Sequence, residues 1–243
     1  MRRRFFVENF GDGTAVIAGE TAHHLGRVLR AQEGQLYELS DGEKVWLGRI
    51  TKVARDTVEF ALQEQLEAFR STLDVTLFLA LVKFDSFEWA IEKATELGVA
   101  TIVPLAAARS EKALLHAAEK RAARWQKILA EAAQQSRRLR MPVLDTLTRP
   151  QQAFSRVREG IKVLLSEKPD VSPLRKLLTG QRATKATIAI GPEGGWTDNE
   201  IELAAQAGFQ HVSLGKLILR TETAVVAALA SLNYALGEAG NPE

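Results

Sequence analysis

From Leu73 onward, short apolar runs alternate with longer stretches of helical spacing. The runs cover residues 75–82, 101–105, 161–166, 187–190 and 211–214. Strands separated by helix-length segments pair in parallel through crossovers, so the alternation predicts a mainly parallel sheet covered by helices. Helix punctuation agrees with that period. The stretch 87–97 ends at Gly98, a natural C′ residue, and Thr197 with Glu200 forms a capping box for a helix that stops near Gly208. A last helix runs from about Glu222 to near Gly237.

Residues 1 to about 70 follow a different rule. Alternating runs at 36–39 and 44–50 flank an Asp41-Gly42 turn, and 57–62 adds a further strand. One helical candidate, from about Thr21 to Arg30, lies among them. Several short strands with one helix predict a small barrel, with the polar stretch 63–72 as a linker. The expected division is therefore a first domain over 1–70 and a second over 73–243.

Two loops of the second domain carry the chemistry. Ile190-Gly191-Pro192-Glu193-Gly194-Gly195 and Leu214-Gly215-Lys216-Leu217-Ile218-Leu219-Arg220-Thr221-Glu222-Thr223-Ala224 each lead from an apolar strand into a helix. Loops of this kind on neighbouring parallel strands face one crevice, where open α/β sheets bind ligands. Pro192 removes a backbone donor and no Lys-Ser/Thr pair follows, so the first loop is a poor phosphate cradle. Neither the Walker pattern nor Gly-x-Gly-x-x-Gly occurs. Leu217, Ile218 and Leu219 call for core burial or an apolar ligand face.

Composition narrows the alternatives. The chain lacks cysteine, which excludes disulfides and thiolate metal sites and points to a reducing cytoplasm. The four histidines have no metal-ligand spacing, and no metal is expected. No apolar run reaches membrane-spanning length, so no membrane partner is expected either. The formal net charge is only +2, but between Arg109 and Arg140 nine Lys/Arg face three Glu. Such a block is either a solvated helix face or a footprint for phosphates.

The two loops closely resemble those of the RsmE family of SPOUT methyltransferases. So do Glu88-Trp89, Lys93-Ala94-Thr95-Glu96-Leu97-Gly98-Val99, and Pro104 followed by Arg109. His24-Leu25 through Val28-Leu29-Arg30, Gly34 and Asp41-Gly42 resemble the family's PUA-like RNA-binding domain, so the similarity covers nearly the whole chain. The resemblance implies an α/β fold with a trefoil-knotted SPOUT methyltransferase domain behind a small PUA-like β-barrel. It also implies a homodimer that methylates N3 of a specific uridine in 16S ribosomal RNA of the small subunit.

The implied cofactor is S-adenosylmethionine, which has no phosphate to hold. Its contacts fall on three loops. They are Leu165, Ser166 and Glu167 in the first, and Ile190, Gly191, Pro192, Glu193 and Gly195 in the second. Leu214, Gly215, Leu217, Ile218, Leu219, Arg220, Thr223 and Ala224 belong to the third. Two acids of the family pattern are replaced here, at Ala108 and Gln134, so no carboxylate is assigned as general base. Arg109 and Arg138 are the catalytic candidates, with electrostatic roles, because arginine stays protonated. Arg2, Arg3, Arg4, Arg27, Arg30 and Arg137 are the expected RNA contacts. Two other readings stay open on the sequence alone: a SPOUT enzyme with another RNA target, and a non-catalytic RNA-binding protein that holds the cofactor.

Overall fold

The structure is a computed structural model, and it describes residues 3–168 and 170–237. The chain divides into two compact units. One comprises the residues up to Arg70 together with Ala133–Met141, and the other Ser71–Ala132 with Pro142–Glu243.

The first unit is built on a five-stranded sheet. Its strands are β1 (Arg4–Phe6), β2 (Thr14–Ala18), β3 (Leu36–Ser40), β4 (Val45–Val53) and β5 (Thr57–Leu66), in the order β1-β3-β4-β5-β2. β1 runs parallel to β3 and every other pairing is antiparallel. Strict alternation sets the buried face: Ala15 and Ile17 point inward while Thr14, Val16 and Ala18 are exposed. Phe5, Leu25, Leu39, Ile50 and Phe60 form the fully buried centre. The expected helix is a five-residue α1 (Gly19–His23) that runs into a π-helical turn over His24–Val28. Two residues beyond its end lies Arg30, whose φ is 51°.

Two expectations need correction here. β1 and β2 are the ends of the sheet and do not pair with each other among the described residues, so hydrogen bonding leaves the sheet open rather than closing a barrel. The stretch 63–72 is not all linker, because β5 continues to Leu66 with Gln65 paired to Trp46. Backbone pairing decides there, and exposed polar side chains do not reveal it.

The segment Ala133–Met141 is bonded into this unit. Ser40 Oγ donates to the Leu139 carbonyl at 2.6 Å, and Arg140 Nη2 donates to the Gly42 carbonyl at 3.2 Å. Arg4 donates through Nε and Nη2 to Glu38 Oε2 at 3.1 and 2.9 Å, and through Nη1 to the Arg137 carbonyl at 2.6 Å. Both members of that ion pair are buried. Freeing a buried charge from its partner costs about 3–5 kcal/mol. Arg4 is thus a structural residue, and its assignment to RNA is withdrawn.

The second unit is a seven-stranded sheet. Its strands are β6 (Asp74–Ala80), β7 (Thr101–Leu105), β8 (Val143–Leu144), β9 (Ile161–Leu165), β10 (Ser172–Pro173), β11 (Lys185–Ile190) and β12 (Gln210–Ser213). They are parallel throughout, in the order β10-β12-β9-β11-β6-β7-β8. The helices are α2 (Phe84–Glu96), α3 (Lys112–Gln135), α4 (Pro150–Arg156), α5 (Leu174–Leu178), α6 (Asp198–Gln206) and α7 (Thr221–Leu236). Each face of the sheet has its own core. Val75, Leu77 and Leu79 of β6 lie in a cluster with Phe87 and Ile91 of α2 and Val225 and Leu229 of α7. Phe78 and Ala80, on the alternate side, join Phe154, Trp196 and Phe209. Phe154 sits 4.9 Å from Phe209 and 6.0 Å from Trp196, measured between ring centroids.

Candidate active site

Three strands that are neighbours in the sheet, β12, β9 and β11, deliver three loops at their carboxyl ends. From β6 the chain builds outward to β7 and β8, then crosses to the other side for β9. The last strand, β12, enters between β9 and β10. This reversal of strand order is the place where parallel sheets open a ligand crevice. A cavity of about 350 Å³ lies there, lined by the three loops and by Arg109.

The glycine loop owes its shape to particular contacts. Gly195 N–H donates to the Pro192 carbonyl at 2.8 Å, closing a tight turn, and Gly195 itself sits at φ +69°. A side chain there would be strained. Gly191 is needed for a different reason: a Cβ would lie 3.0 Å from the Trp196 ring. Trp196 is buried, and its indole N–H donates to the Leu165 carbonyl at 2.9 Å, tying the β11 loop to the β9 loop. Arg109, from the loop after β7, donates through Nη1 to the carbonyls of Gly194 (2.7 Å) and Trp196 (3.3 Å).

Both charge signs border the cavity. Glu167 and Glu193 supply negative charge, and Arg109, Lys168 and Arg220 positive. Lys168 donates to Asp198 at 2.8 Å, and that hydrogen bond holds the Asp198 carboxyl below its usual range. Behind the third loop, His211 of β12 has a buried Nε2 without a hydrogen-bond partner. Burial, aided by the Lys168 charge, pushes its pKa down. Leu217 and Ile218 are 82% and 80% exposed, so core burial is excluded for both and they offer an apolar face to the cavity.

Of the residues expected at the cofactor, all line this cavity except Thr223. Helix geometry explains the exception. Thr221 and Ala224, three apart on α7, face the cavity, while Thr223 points away and is exposed. Lys168 and Trp196 also line it and were not expected, while Gly194 and Thr221 line it from within the expected second and third loops without having been singled out. The helical spacing from Ala224 back to Thr221 was the signal available for the last of these.

The arginines divide. Arg109 is at the cavity, whereas Arg138 belongs to the segment grouped with the first unit. Burial lowers the Arg138 pKa to about 10, which still leaves it protonated at neutral pH. Arg137 adopts φ 55° and pairs with Glu38 at 3.5 Å. Arg3, Arg27 and Arg30 are exposed, and Arg2 lies outside the described residues. Among the described residues no cluster of three or more His, Asp or Glu is placed to hold a metal, and no helix is long and apolar enough to cross a membrane.

Comparison with known proteins decides the family. The RNA methyltransferase domain family matches residues 70–233, and the RNA methyltransferase PUA domain family matches residues 17–63. A ribosomal RNA small subunit methyltransferase E from Synechocystis is 39% identical over 94% of this chain and 76% of its own length. The chain belongs to the ribosomal RNA small subunit methyltransferase E (RsmE) family.

The RsmE relative from Bacillus subtilis is 33% identical, covering 91% of this chain and 90% of its own. A crystal structure of the RsmE from Neisseria gonorrhoeae bound to S-adenosyl methionine superposes with a TM-score of 0.88 at 30% identity, over 99% of this chain and 100% of that one. As a member of the RsmE family the chain is an RNA methyltransferase.

Proposed function

We propose that the protein transfers a methyl group from S-adenosylmethionine to N3 of one uridine in 16S ribosomal RNA of the small subunit. It would act in the cytoplasm as a homodimer, with a trefoil-knotted SPOUT domain behind a PUA-like domain. The cavity at the ends of β9, β11 and β12 carries this reading. It is shaped by backbone, offers an apolar face at Leu217 and Ile218, and presents Glu167 and Glu193 to a cationic ligand. Pro192 removes a backbone donor from its glycine loop and no Lys-Ser/Thr pair follows, which suits a sulfonium nucleoside better than a nucleotide. β12 takes its place between β9 and β10, which both precede it in the chain, an order compatible with a knotted sheet.

S-adenosylmethionine, when bound, supplies an electrophilic methyl group on a positively charged sulfur. The β9, β11 and β12 loops would orient it, and Arg109 at the cavity rim would lower the energy of the negative charge that develops on uracil as N3 loses its proton. With that proton passed to water, N3 would form a bond to the methyl carbon as the carbon–sulfur bond breaks, leaving S-adenosylhomocysteine. Arg138 is assigned to the same anion or to its flanking phosphate. Arg3, Arg27, Arg30 and Arg137, with Arg2, are assigned to the RNA backbone.

The deciding experiment incubates the protein and S-adenosylmethionine with small subunits from a strain lacking this enzyme, then maps the RNA by mass spectrometry. One methyl on N3 of a single uridine is expected. A methyl on a ribose 2′-hydroxyl or on another base overturns the assigned target, and absence of turnover overturns the enzymatic role. Arg138→Ala should lower turnover far more than it weakens cofactor binding.

A further inference from the structure

Glu200 does more than complete a helix cap. It is the third residue of α6, is buried, and uses its two carboxylate oxygens for two separate elements. Oε2 accepts from the Thr197 backbone N–H at 2.9 Å and from the Thr197 hydroxyl at 2.8 Å, completing the capping box. Oε1 accepts from the backbone N–H of Ala108 at 2.8 Å, ninety-two residues away in the loop after β7.

That second bond holds the residue next to Arg109. Residues 107–110 form a turn closed by Ser110 N–H on the Ala107 carbonyl at 3.1 Å, with Ala108 and Arg109 at its centre. Arg109 leaves this turn to lie along the glycine loop. Its Cβ and Cδ are 3.4 Å from where a Gly194 Cβ would stand, and its Nη1 bridges the Gly194 and Trp196 carbonyls. Trp196 in turn holds Leu165 at the end of β9. One carboxylate thus connects the cap of α6 to the loops that line the cavity.

We propose that Glu200 is a positioning residue for methyl transfer, acting through the Ala108 N–H to set Arg109 across the glycine loop. The proposal rests on the assignment of the cavity to S-adenosylmethionine. A carboxylate is required because both sites present donors. Glutamine has one acceptor oxygen and one donor nitrogen, so either the cap or Ala108 would face N–H against N–H. A charge-assisted bond to a buried carboxylate also fixes the turn more firmly than a neutral bond would.

The test uses the full-length protein and reads S-adenosylmethionine affinity by calorimetry, thermal melting, and kcat and KM on small ribosomal subunits. Ala108→Pro removes the donated N–H and fixes φ at the central turn position that proline favours, leaving Glu200 and its cap in place. Glu200→Gln disturbs both bonds, and Thr197→Ala disturbs only the cap. Ala108→Pro and Glu200→Gln should each weaken cofactor binding about tenfold and lower kcat by at least as much, and the double variant should be within roughly twofold of the worse single one, as expected for one shared interaction. KM for RNA should stay within about twofold of the parent, since the latch sets the glycine loop against the cofactor and places an Arg109 charge felt by the uracil anion only as it develops, not by RNA in the ground state. Thr197→Ala should lower the melting temperature while cofactor affinity stays within about twofold.

If Ala108→Pro binds cofactor and turns over like the parent, Glu200 only caps α6 and the proposal fails. Full multiplication of the two single effects in the double variant overturns it as well. Ile218→Asp reports on the cavity assignment independently. If that change leaves cofactor affinity untouched, the site lies elsewhere and the proposal falls with it, whatever the Glu200 variants do.

Discussion

Gly195 shows what a single residue fixes in this site. Its φ of +69° closes the turn onto Pro192, and a β-branched side chain in that region costs about 1–2 kcal/mol or more. Gly195→Val should therefore abolish S-adenosylmethionine binding by calorimetry while circular dichroism stays native; unchanged affinity would remove the loop from the site. His211 makes a second prediction. Its folded-state pKa lies below the ordinary value because burial, and then Lys168, disfavour the imidazolium. The unfolded chain takes up a proton that the folded chain refuses, so this stability is present above the unfolded pKa and lost as pH falls through the folded one. Melting temperature should drop as pH is lowered below about 6.5, the ordinary histidine value. His211→Phe should flatten that dependence, and an unaltered pH profile would show that His211 is not its source. Arg4 marks the limit of reading single residues from sequence. Its charge and its place in an arginine run pointed to RNA, but its partner Glu38 is thirty-four residues away and both are buried. Pairing across a fold leaves no local trace.

Among the elements, α3 joins a core-facing side with Trp125 and Leu129 to an exposed side where Lys112, His116, Lys120 and Arg124 recur every four residues, followed by Lys127. Arg124 and Arg121 are partly committed, to buried Glu88 at 2.8 and 3.3 Å. The lysines are the better phosphate ligands. Replacing Lys112, Lys120 and Lys127 together by Ala should reduce the log–log salt slope of RNA binding by roughly 0.7–0.9 for each phosphate no longer neutralised, with melting and cofactor affinity unchanged. An unchanged slope would make the stripe a solvated face. Elements with a strong period were legible in advance: 101–105 is β7, and the Thr197–Glu200 box does cap α6. The two-residue strands β8 and β10 and the short helices α4 and α5 were not, since so few residues carry no period and Pro173 argues against a strand. The site was more legible than the fold around it. Proline and glycine specify loop geometry locally, whereas Trp196 is a cavity residue only because β9 and β11 are adjacent.

At the scale of the molecule, the chain does not separate cleanly at its apparent linker. Ala133–Met141 begins with the last three residues of α3, whose earlier turns pack in the second unit, yet it is grouped with the first. There it accepts from Ser40 and Arg4, donates to Gly42 and pairs with Glu38. Cutting before Ser71 strips those partners away, and cutting after Arg70 leaves the Ser40 hydroxyl and the Arg4 Nη1 without their acceptors. Lost buried hydrogen bonds of this sort cost about 1–3 kcal/mol each, a large part of the stability of a 70-residue unit. A chain of residues 1–70 alone should therefore melt well below the intact protein, and joining residues 133–141 to it through a flexible linker should recover much of the difference. A chain of residues 71–243 should retain S-adenosylmethionine binding, because every residue lining the cavity is on it, but should methylate small subunits poorly. If 1–70 alone melts as cooperatively and as high as the extended version, the 133–141 segment contributes nothing to that unit. If 71–243 modifies RNA as fast as the full chain, the first unit is not a recognition element, and the assignment of Arg27 and Arg30 to RNA falls with it.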